Sequence, residues 1–338
     1  MHAFLPAEGC ADPLADELRR EGVPVPPSAG HEPFLLAETL PASGCAAFAR
    51  QTLPDARALS GSSINGWADA MIEALLGHLN DDDPWHLHLW PAYGEGRAGQ
   101  HRCGLIRSAF LERLKKRRRL RLRQEQTSLT PATALLQAAL TAPDAGLVSL
   151  TTAVRRRELR ALVSDFIAGD IPHAEDKSAP SRAFAKVIEA ELRLGRRIER
   201  GQTCVDLGAA PGSWTYVAIQ RGAHAIAVDR SPLRDDLMHH PRLQFHQGDA
   251  FKFKPAQTVD WLICDIIAAP QRSIDLLLEW LREGRMRQFI VTVKFKGADE
   301  YAMLDALKTA CPPLCSDFRL TRLCANKNEV TAFGVRRF

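Results

Sequence analysis

The chain has 338 residues, of which 46% are hydrophobic and 25% charged, so it is long enough for two globular domains with ample cores. Its net charge of +4 is mildly basic and by itself excludes no class of partner. No run approaches the roughly 18 apolar residues of a membrane span, and the first seven residues lack the basic start and apolar core of a signal peptide. We therefore expect a cytoplasmic protein without a membrane partner.

The eight cysteines and the histidines do not predict a metal site. The cysteines are scattered without a C-x-x-C pair, and no carboxylate or cysteine stands close enough to His86, His88 and His101 to complete a ligand set. We expect reduced cysteines that are mostly small buried apolar groups.

The first 165 residues are predicted to form an α+β region in two parts, residues 1–60 and residues 61–165. In the first part we predict a helix over residues 14–21, a strand over 34–38 and a short helix over 45–51. In the second part the pattern predicts helix, strand, helix, strand, helix and strand, over residues 67–79, 85–90, 105–114, 119–123, 130–140 and 147–152 in that order.

A basic run occupies residues 102–123, where ten Lys or Arg residues accompany one acid, Glu112. One interpretation is a solvated helix face. The other is a surface that binds a polyanion, because Lys and Arg at this density neutralise phosphates. Further basic clusters at residues 155–160 and 196–200 favour nucleic acid over a small neutral substrate.

The stretch T-C-V-D-L-G-A-A-P-G-S-W-T at residues 203–215 organises the rest of the chain. Its first half is short and apolar, as in a strand buried on both faces. Gly208, Pro211 and Gly212 then force a turn, and residues 214–220 open a helix. A strand, a glycine turn and a helix in this order bring backbone N–H groups close to a ligand.

Three further apolar strands end in polar residues, namely Asp229, Asp265 and Lys294. Helices fit between them, and residues 318–323 and 330–336 suit a closing antiparallel pair. This predicts an open α/β sheet that binds its ligands at the carboxyl ends of the strands.

The glycine turn favours S-adenosylmethionine over a dinucleotide. It does not supply G-x-G-x-x-G, and Asp206 just before it suits a cationic ligand better than a pyrophosphate. Its pattern is D-x-G-x-x-P-G, which is typical of S-adenosylmethionine methyltransferases. Asp229 is placed to bind ribose hydroxyls, and Asp249 to meet the adenine amino group.

The C-terminal 160 or so residues resemble the FtsJ-like ribose 2'-O-methyltransferases. That resemblance implies a Lys-Asp-Lys-Glu tetrad, whose counterparts here are Lys186 in P-S-R-A-F-A-K, Asp265, Lys294, and Glu329 in N-E-V. Within the family the likeness is to the RlmM type, which methylates one cytidine ribose in large-subunit ribosomal RNA. It rests on the long N-terminal extension, the P-S-R-x-x-x-K segment, and D-A-F-K-F-K followed by V-D-W-L-I-C-D.

The resemblance implies a Rossmann-like methyltransferase domain with a mixed seven-stranded sheet over residues 166–338, preceded by a THUMP-like RNA-binding module over residues 61–165. It also implies ribosomal RNA, or its precursor particle, as the partner. The residues expected to bind the cofactor are Ser181, Gly208, Ala210, Pro211, Gly212, Ser213, Trp214, Asp229, Asp249 and Asp265.

A ribose hydroxyl is a poor nucleophile until its proton leaves, and a positioned base contributes about 10²–10⁴-fold. Our hypothesis is that Lys294 is that base, that Lys186 raises the local positive potential and orients the hydroxyl, and that Asp265 and Glu329 fix the two amines. Cys264, inside an apolar strand, is expected to point away from the site and not to serve as a base-methylating nucleophile. A small-molecule O-methyltransferase and a non-catalytic RNA-binding assembly protein remain as alternatives.

Overall fold

A computed structural model of the chain describes residues 1–26, 30–172 and 175–337. The fold divides into two units, Met1–Asp170 and Ile171–Phe338. Residues 1–60 and 61–165 both fall within the first unit. The second unit begins at Ile171, whereas the sequence predicts that the methyltransferase domain begins at residue 166. None of the helices described is long and apolar enough to cross a membrane.

The N-terminal unit contains two sheets. A three-stranded antiparallel sheet has the order β2-β1-β3, and a four-stranded mixed sheet has the order β4-β7-β6-β5. The elements are β1 (His2–Pro6), α1 (Ala11–Arg20), β2 (Leu35–Ala37), β3 (Ala49–Leu53), β4 (Arg57–Leu59), α2 (Ile64–His78), β5 (Trp85–Pro91), α3 (Gln100–Arg117), α4 (Arg119–Leu122), β6 (Ala134–Leu140), β7 (Gly146–Thr151) and α5 (Ala153–Glu158).

Residues 45–51 do not form a short helix, so that prediction is wrong. β3 pairs antiparallel with β1 instead. The backbone N–H groups of Ala47 and Phe48 donate to the buried carboxylate of Glu17, at 2.7 and 3.1 Å. A side chain from α1 therefore satisfies donors that a helix would have paired internally.

The helix predicted over residues 130–140 is also wrong. β6 lies between β5 and β7 in the sheet, and all seven of its residues are buried. The Thr130 and Thr133 hydroxyls bond each other at 2.8 Å rather than capping a helix. A central strand that is buried throughout loses its polar alternation, which explains why the Ala-rich segment resembles a helix.

Residues 119–123 are predicted as a strand, but most of them form α4. The alternation of Arg and Leu there reflects the burial of one arginine and not a sheet. Arg121 is fully buried, and its guanidinium donates to the carbonyls of Leu79 (2.6 Å) and Asp83 (3.1 Å).

The C-terminal unit is built on one seven-stranded sheet with the order β10-β9-β8-β11-β12-β14-β13. The first five strands of that order are parallel, and the last two run antiparallel to their neighbours. The elements are α6 (Phe184–Leu194), β8 (Thr203–Leu207), α7 (Ser213–Gln220), β9 (His224–Asp229), α8 (Asp235–Met238), β10 (Leu243–Gln247), β11 (Val259–Cys264), α9 (Pro270–Arg282), β12 (Met286–Lys294), α10 (Asp305–Leu314), β13 (Cys315–Thr321) and β14 (Glu329–Arg336).

This sheet confirms the predicted Rossmann-like fold with a mixed seven-stranded sheet. The chain goes from β8 to β9 on one side and later returns to β11 on the other side, so the strand order reverses between β8 and β11. Such a reversal opens a crevice at the carboxyl ends of the two strands, where open α/β sheets bind ligands. The glycine turn follows β8 and Asp265 follows β11, so both border that crevice.

Candidate active site

The four residues of the predicted tetrad converge. The Nζ atom of Lys186 lies 3.2 and 3.1 Å from the two carboxylate oxygens of Asp265, and it pairs directly with Glu329. The Nζ atom of Lys294 lies 3.0 Å from Asp265 Oδ1 and 3.7 Å from Glu329 Oε2. Each amine is therefore held by the same two carboxylates.

Strand register brings two members together. β12 pairs antiparallel with β14, and in that ladder Lys294 lies directly opposite Glu329. Asp265 comes from the adjacent strand β11, immediately after its last residue. Three members therefore lie at the same end of the sheet, because β11 and β12 end there and β14 begins there.

Helix α6 supplies the fourth member and also anchors the loop that precedes Glu329. Lys186 is 6% exposed and lies one turn before Glu189, on the same side of the helix. Both carboxylate oxygens of Glu189 accept the backbone N–H of Cys324, at 3.0 and 2.8 Å. One helix therefore positions a tetrad lysine and the chain segment that leads to the tetrad glutamate.

Asn326 is a residue of this site that the sequence reasoning missed. Its amide donates to Glu329 Oε1 at 3.3 Å, and its carbonyl oxygen accepts from Leu323 N at 2.7 Å and Thr331 Oγ1 at 3.2 Å. The buried side chain thus ties Glu329 to both ends of the loop. An asparagine three residues before the glutamate was the available signal, but only the fold shows its contacts.

Glu329 is kept ionised by its neighbours. Burial alone would raise the pKa of this carboxyl, but the hydrogen bond and charge of Lys186, together with the charge of Lys294, outweigh it and place the pKa below its usual value. The carboxylate therefore stays available to hold the two amines.

A pocket of about 350 Å³ adjoins the tetrad, within the size range of small-molecule sites. Of the residues predicted to bind a cofactor, all line it except Gly212 and Asp249. The lining residues are Ser181, Ala183, Asp206, Gly208, Ala209, Ala210, Pro211, Ser213, Trp214, Asp229, Asp265, Ile266, Ile267 and Lys294.

Gly208 is required by the shape of this pocket. Its φ is +75°, and a Cβ atom there would lie 2.3 Å from Ile266 Cγ1. The turn after β8 therefore packs against the segment after β11 more closely than any side chain allows. Gly212, which precedes α7 with φ +110°, packs in the same way against Leu237 and supports the turn from outside the pocket.

Hydrogen bonds fix the walls of the pocket. The Ser181 and Ser213 hydroxyls lie 2.7 Å apart, and the indole N–H of Trp214 donates to the Ala183 carbonyl at 2.8 Å. Together they fasten the segment before α6 to the start of α7. Trp214 is itself buried, so it acts mainly as wall.

The two predicted adenosine acids are placed differently. Asp229 lines the pocket and accepts the backbone N–H groups of Ala210 (3.0 Å) and Ser231 (2.9 Å), which leaves lone pairs for ribose hydroxyls. Asp249 does not line it. Its carboxylate accepts the backbone N–H of Phe251 at 3.0 Å and lies 3.5 Å from Arg230.

Asp206 is the most perturbed acid of the pocket, and it was not among the predicted cofactor residues. It is 2% exposed, and burial raises its pKa to about 7 even though the Thr215 hydroxyl donates to it at 2.6 Å. A buried carboxyl with one hydroxyl partner gains most from a cation in the pocket. That fits the donor chemistry of S-adenosylmethionine, which carries a sulfonium and an amino group.

Cys264 is the last residue of β11 and is fully buried, and its direction away from the site stays a prediction. Burial raises the pKa of its thiol to about 12, so the nucleophilic thiolate is disfavoured. Among the residues that the structure describes, no group of three or more His, Cys, Asp or Glu side chains could hold a metal ion.

Residues 179–298 match the model of the family described as FtsJ-like methyltransferase. The C-terminal unit is therefore similar to this family over residues 179–298. This confirms the resemblance predicted from the P-S-R-x-x-x-K segment and the glycine turn. The match also supports S-adenosylmethionine as the predicted cofactor.

Known proteins are similar over about half of the chain. The "Ribosomal RNA large subunit methyltransferase M" of Laribacter hongkongensis is 36% identical over 172 residues, which cover 47% of this chain and 48% of that protein. The protein of the same name from Halorhodospira halophila is 42% identical over 163 residues, with the same coverage. The chain thus spans about half the length of these relatives. A solved structure, the fibrillarin pre-rRNA processing protein of Methanococcus jannaschii, is 15% identical at a TM-score of 0.33 and covers 45% of this chain and 73% of that one.

Proposed function

We propose that the protein transfers a methyl group from S-adenosylmethionine to a ribose 2'-hydroxyl of large-subunit ribosomal RNA, in the cytoplasm. One observation carries the proposal: the Nζ atoms of two lysines each lie within 3.7 Å of the same two carboxylates, beside a pocket with a buried acid. The similarity to proteins named as large-subunit methyltransferases supports ribosomal RNA as the substrate. A cytidine is the target that the RlmM likeness suggests.

The residues divide the chemistry among them. When bound, S-adenosylmethionine supplies an electrophilic methyl group. Lys294 both lines the pocket and belongs to the tetrad, so in its neutral form it is placed to accept the proton of the incoming 2'-hydroxyl. Lys186, which is buried and does not line the pocket, contributes positive potential from behind.

Asp265 and Glu329 prevent the two amines from separating. Both carboxylates contact both lysines, so the loss of the Asp265 carboxylate leaves two cations that share only Glu329. The remaining acceleration comes from placing the hydroxyl in line with the methyl group, which requires a rigid site. The bonds from Glu189 and Asn326 to the Glu329 loop provide that rigidity.

The N-terminal unit supports a nucleic-acid substrate. In the basic run, Arg113 and Arg117 pair with Asp69, Arg107 pairs with Glu125, and Lys116 pairs with Glu112. Four other members are exposed, and the structure gives them no ion pair among the residues that it describes: Lys115, Arg118, Arg119 and Arg123. We define these four residues as the basic patch, and we propose that it binds RNA phosphates within a THUMP-like module.

A small-molecule O-methyltransferase has no use for the basic patch, and a non-catalytic RNA-binding protein has none for the tetrad. Salt separates the first alternative from our proposal, because binding that neutralises phosphates weakens steeply with salt. RNA binding that is insensitive to salt would contradict the patch.

Mapping of ribose methylations tests the function directly. We expect one 2'-O-methyl group to be missing from the large-subunit RNA of a strain that lacks this gene. The unaltered gene should restore it and the K294A variant should not. Incubating the purified protein with naked RNA and with precursor particles then identifies the substrate. A complete methylation pattern in the deletion strain would refute the proposal.

A further inference from the structure

Ile267 is an apolar side chain in an unusual place. It is 89% exposed, and the next most exposed large hydrophobic residues among those described, Leu120 and Val154, reach only 57%. It nevertheless lines the pocket together with Asp265 and Lys294. A side chain that borders a pocket and still faces solvent stands on its rim.

The segment that presents Ile267 is held at both ends. On one side Ile266 packs against Gly208, where a Cβ atom would lie 2.3 Å from Ile266 Cγ1. On the other side α9 begins at Pro270, whose ring fixes the backbone at the first helical position. Four residues connect the tetrad acid to that helix, so the chain has little freedom to fold Ile267 inward.

In the protein alone this exposure gains nothing, because an apolar side chain is stabilised only when it leaves water. The nearby groups on the tetrad side, Asp265 and Lys294, are charged and cannot cover it. A planar nucleobase can. Proteins that recognise RNA by sequence commonly stack unpaired bases on aromatic or Arg side chains, and an aliphatic side chain offers a base face the same burial of apolar surface. The rim position places such a base next to the lysine proposed to activate its ribose.

We propose that Ile267 packs against the base of the target nucleotide and thereby orients its 2'-hydroxyl toward Lys294. The inference rests on the proposed function and adds the contact that seats the nucleotide. Ile267 is a positioning residue in this scheme, since it touches the base and not the reacting atoms. Apolar contact does not depend on hydrogen-bonding edges, so Ile267 favours an unpaired nucleotide without selecting its identity.

The first test compares I267A with L192A, which removes another half-exposed apolar side chain of the same unit, on α6. In I267A we expect KM for ribosomal RNA to rise about tenfold or more, with S-adenosylmethionine affinity within twofold of the unaltered protein. I267V should recover most of the loss, because it retains a branched apolar side chain. L192A should match the unaltered protein in both measurements.

A second test shows whether the base is the partner. It uses a short RNA substrate with an abasic target nucleotide and compares it with the intact RNA in a double-mutant cycle. The unaltered protein should lose about tenfold in kcat/KM on the abasic RNA, whereas I267A should lose little more than it has already lost. Independent, additive losses would overturn the inference.

The remaining outcomes are also decisive. Weakened S-adenosylmethionine binding in I267A would show that the cofactor covers this side chain, and unchanged kinetics would show that a different partner covers it or that nothing does. Either result overturns the inference but leaves the proposed function intact, provided that the unaltered protein methylates ribosomal RNA. If the unaltered protein does not methylate RNA, the proposed function itself fails.

Discussion

The two units use lysine and arginine in opposite ways. In the C-terminal unit Lys186 and Lys294 share two carboxylates; helix α6 presents the first lysine, and strand register fixes the second opposite Glu329. In the N-terminal unit the basic patch runs from the last turn of α3 through α4 to the residue after it, and its members are exposed and have no ion pair within the described part of the chain. The first arrangement suits chemistry at one atom, and the second suits a diffuse, salt-dependent attraction to many phosphates. The same residue types therefore indicate different functions according to what holds them.

Replacing Lys294 tests most directly whether the paired lysines of the C-terminal unit serve catalysis. We expect K294A to lower methyl transfer by about 10³-fold or more, because the general base is lost, while S-adenosylmethionine affinity stays within a few-fold. Single-turnover methylation and calorimetric binding measure the two quantities. The matched control is K252A, which removes an exposed lysine of the same unit that has no ion pair in the described structure. Normal turnover in K294A would remove Lys294 from the mechanism.

Replacing Gly208 should have the next largest effect, because the turn at Gly208 packs directly against the other side of the crevice. In G208A the new methyl group would lie 2.3 Å from Ile266 at a φ of +75°, so we expect a loss of about 3 kcal/mol in the free energy of unfolding. S-adenosylmethionine binding should be lost with it. Denaturant unfolding and calorimetry measure both.

Gly195 provides the control for that substitution. It ends α6 at a φ of +68°, and nothing lies within 4 Å of the position of its Cβ atom. G195A should therefore cost only about 1 kcal/mol and leave cofactor binding unchanged. Equal effects of the two substitutions would show that backbone strain, and not the contact with Ile266, makes the glycine necessary.

Within the basic run, Arg121 and the basic patch should differ in function: the buried arginine should stabilise the fold, and the exposed residues should bind RNA. R121M leaves the carbonyls of Leu79 and Asp83 without their buried donor, so we expect a loss of about 2–3 kcal/mol in stability. R119Q removes a member of the basic patch, and we expect a stability change within about 0.5 kcal/mol. It should instead weaken RNA binding and lower the salt slope by roughly one. Equal RNA-binding losses in two equally stable variants would contradict this division.

The sequence revealed the catalytic unit better than the N-terminal unit for a physical reason. Parallel strands buried on both faces are short apolar runs, and the residue that ends each run, such as Asp229, Asp265 or Lys294, stands at the ligand edge. The N-terminal elements depend on distant partners. Glu17 replaces helical hydrogen bonds for Ala47 and Phe48, and pairing on both sides makes a strand of the Ala-rich β6.

The site shows the same limit at finer scale. The tetrad could be predicted because each member falls in a recognisable segment. Asn326 and Ile267 could not be predicted. Asn326 contributes three hydrogen bonds across a loop, and Ile267 is exposed at the rim of the pocket, and only the fold shows either feature. Asp249 was predicted, from its place after a strand, to meet the adenine amino group; its carboxylate accepts the backbone N–H of Phe251 and does not line the pocket.

Asp206 gives the smallest expected effect and the most specific one: protein stability and cofactor affinity should depend on pH in opposite directions. Burial raises its pKa to about 7, from an unfolded value near 3.8. The folded protein therefore binds a proton that the unfolded chain releases, so the contribution of Asp206 to stability is complete below about pH 4 and is lost as pH rises to about 7. Cofactor affinity should run the opposite way, because only the ionised carboxylate attracts the cationic donor.

We expect S-adenosylmethionine affinity to rise by roughly tenfold between pH 6 and pH 8, measured by calorimetry in buffers of matched ionic strength, because this range spans the pKa of about 7. D206N keeps the shape and the acceptor for Thr215 but cannot ionise, so it should bind more weakly at pH 8 and show a nearly flat profile. Its free energy of unfolding should also lack the decline between pH 4 and 7. A D206N profile parallel to that of the unaltered protein would assign the pH dependence to another group and leave Asp206 a purely structural acid.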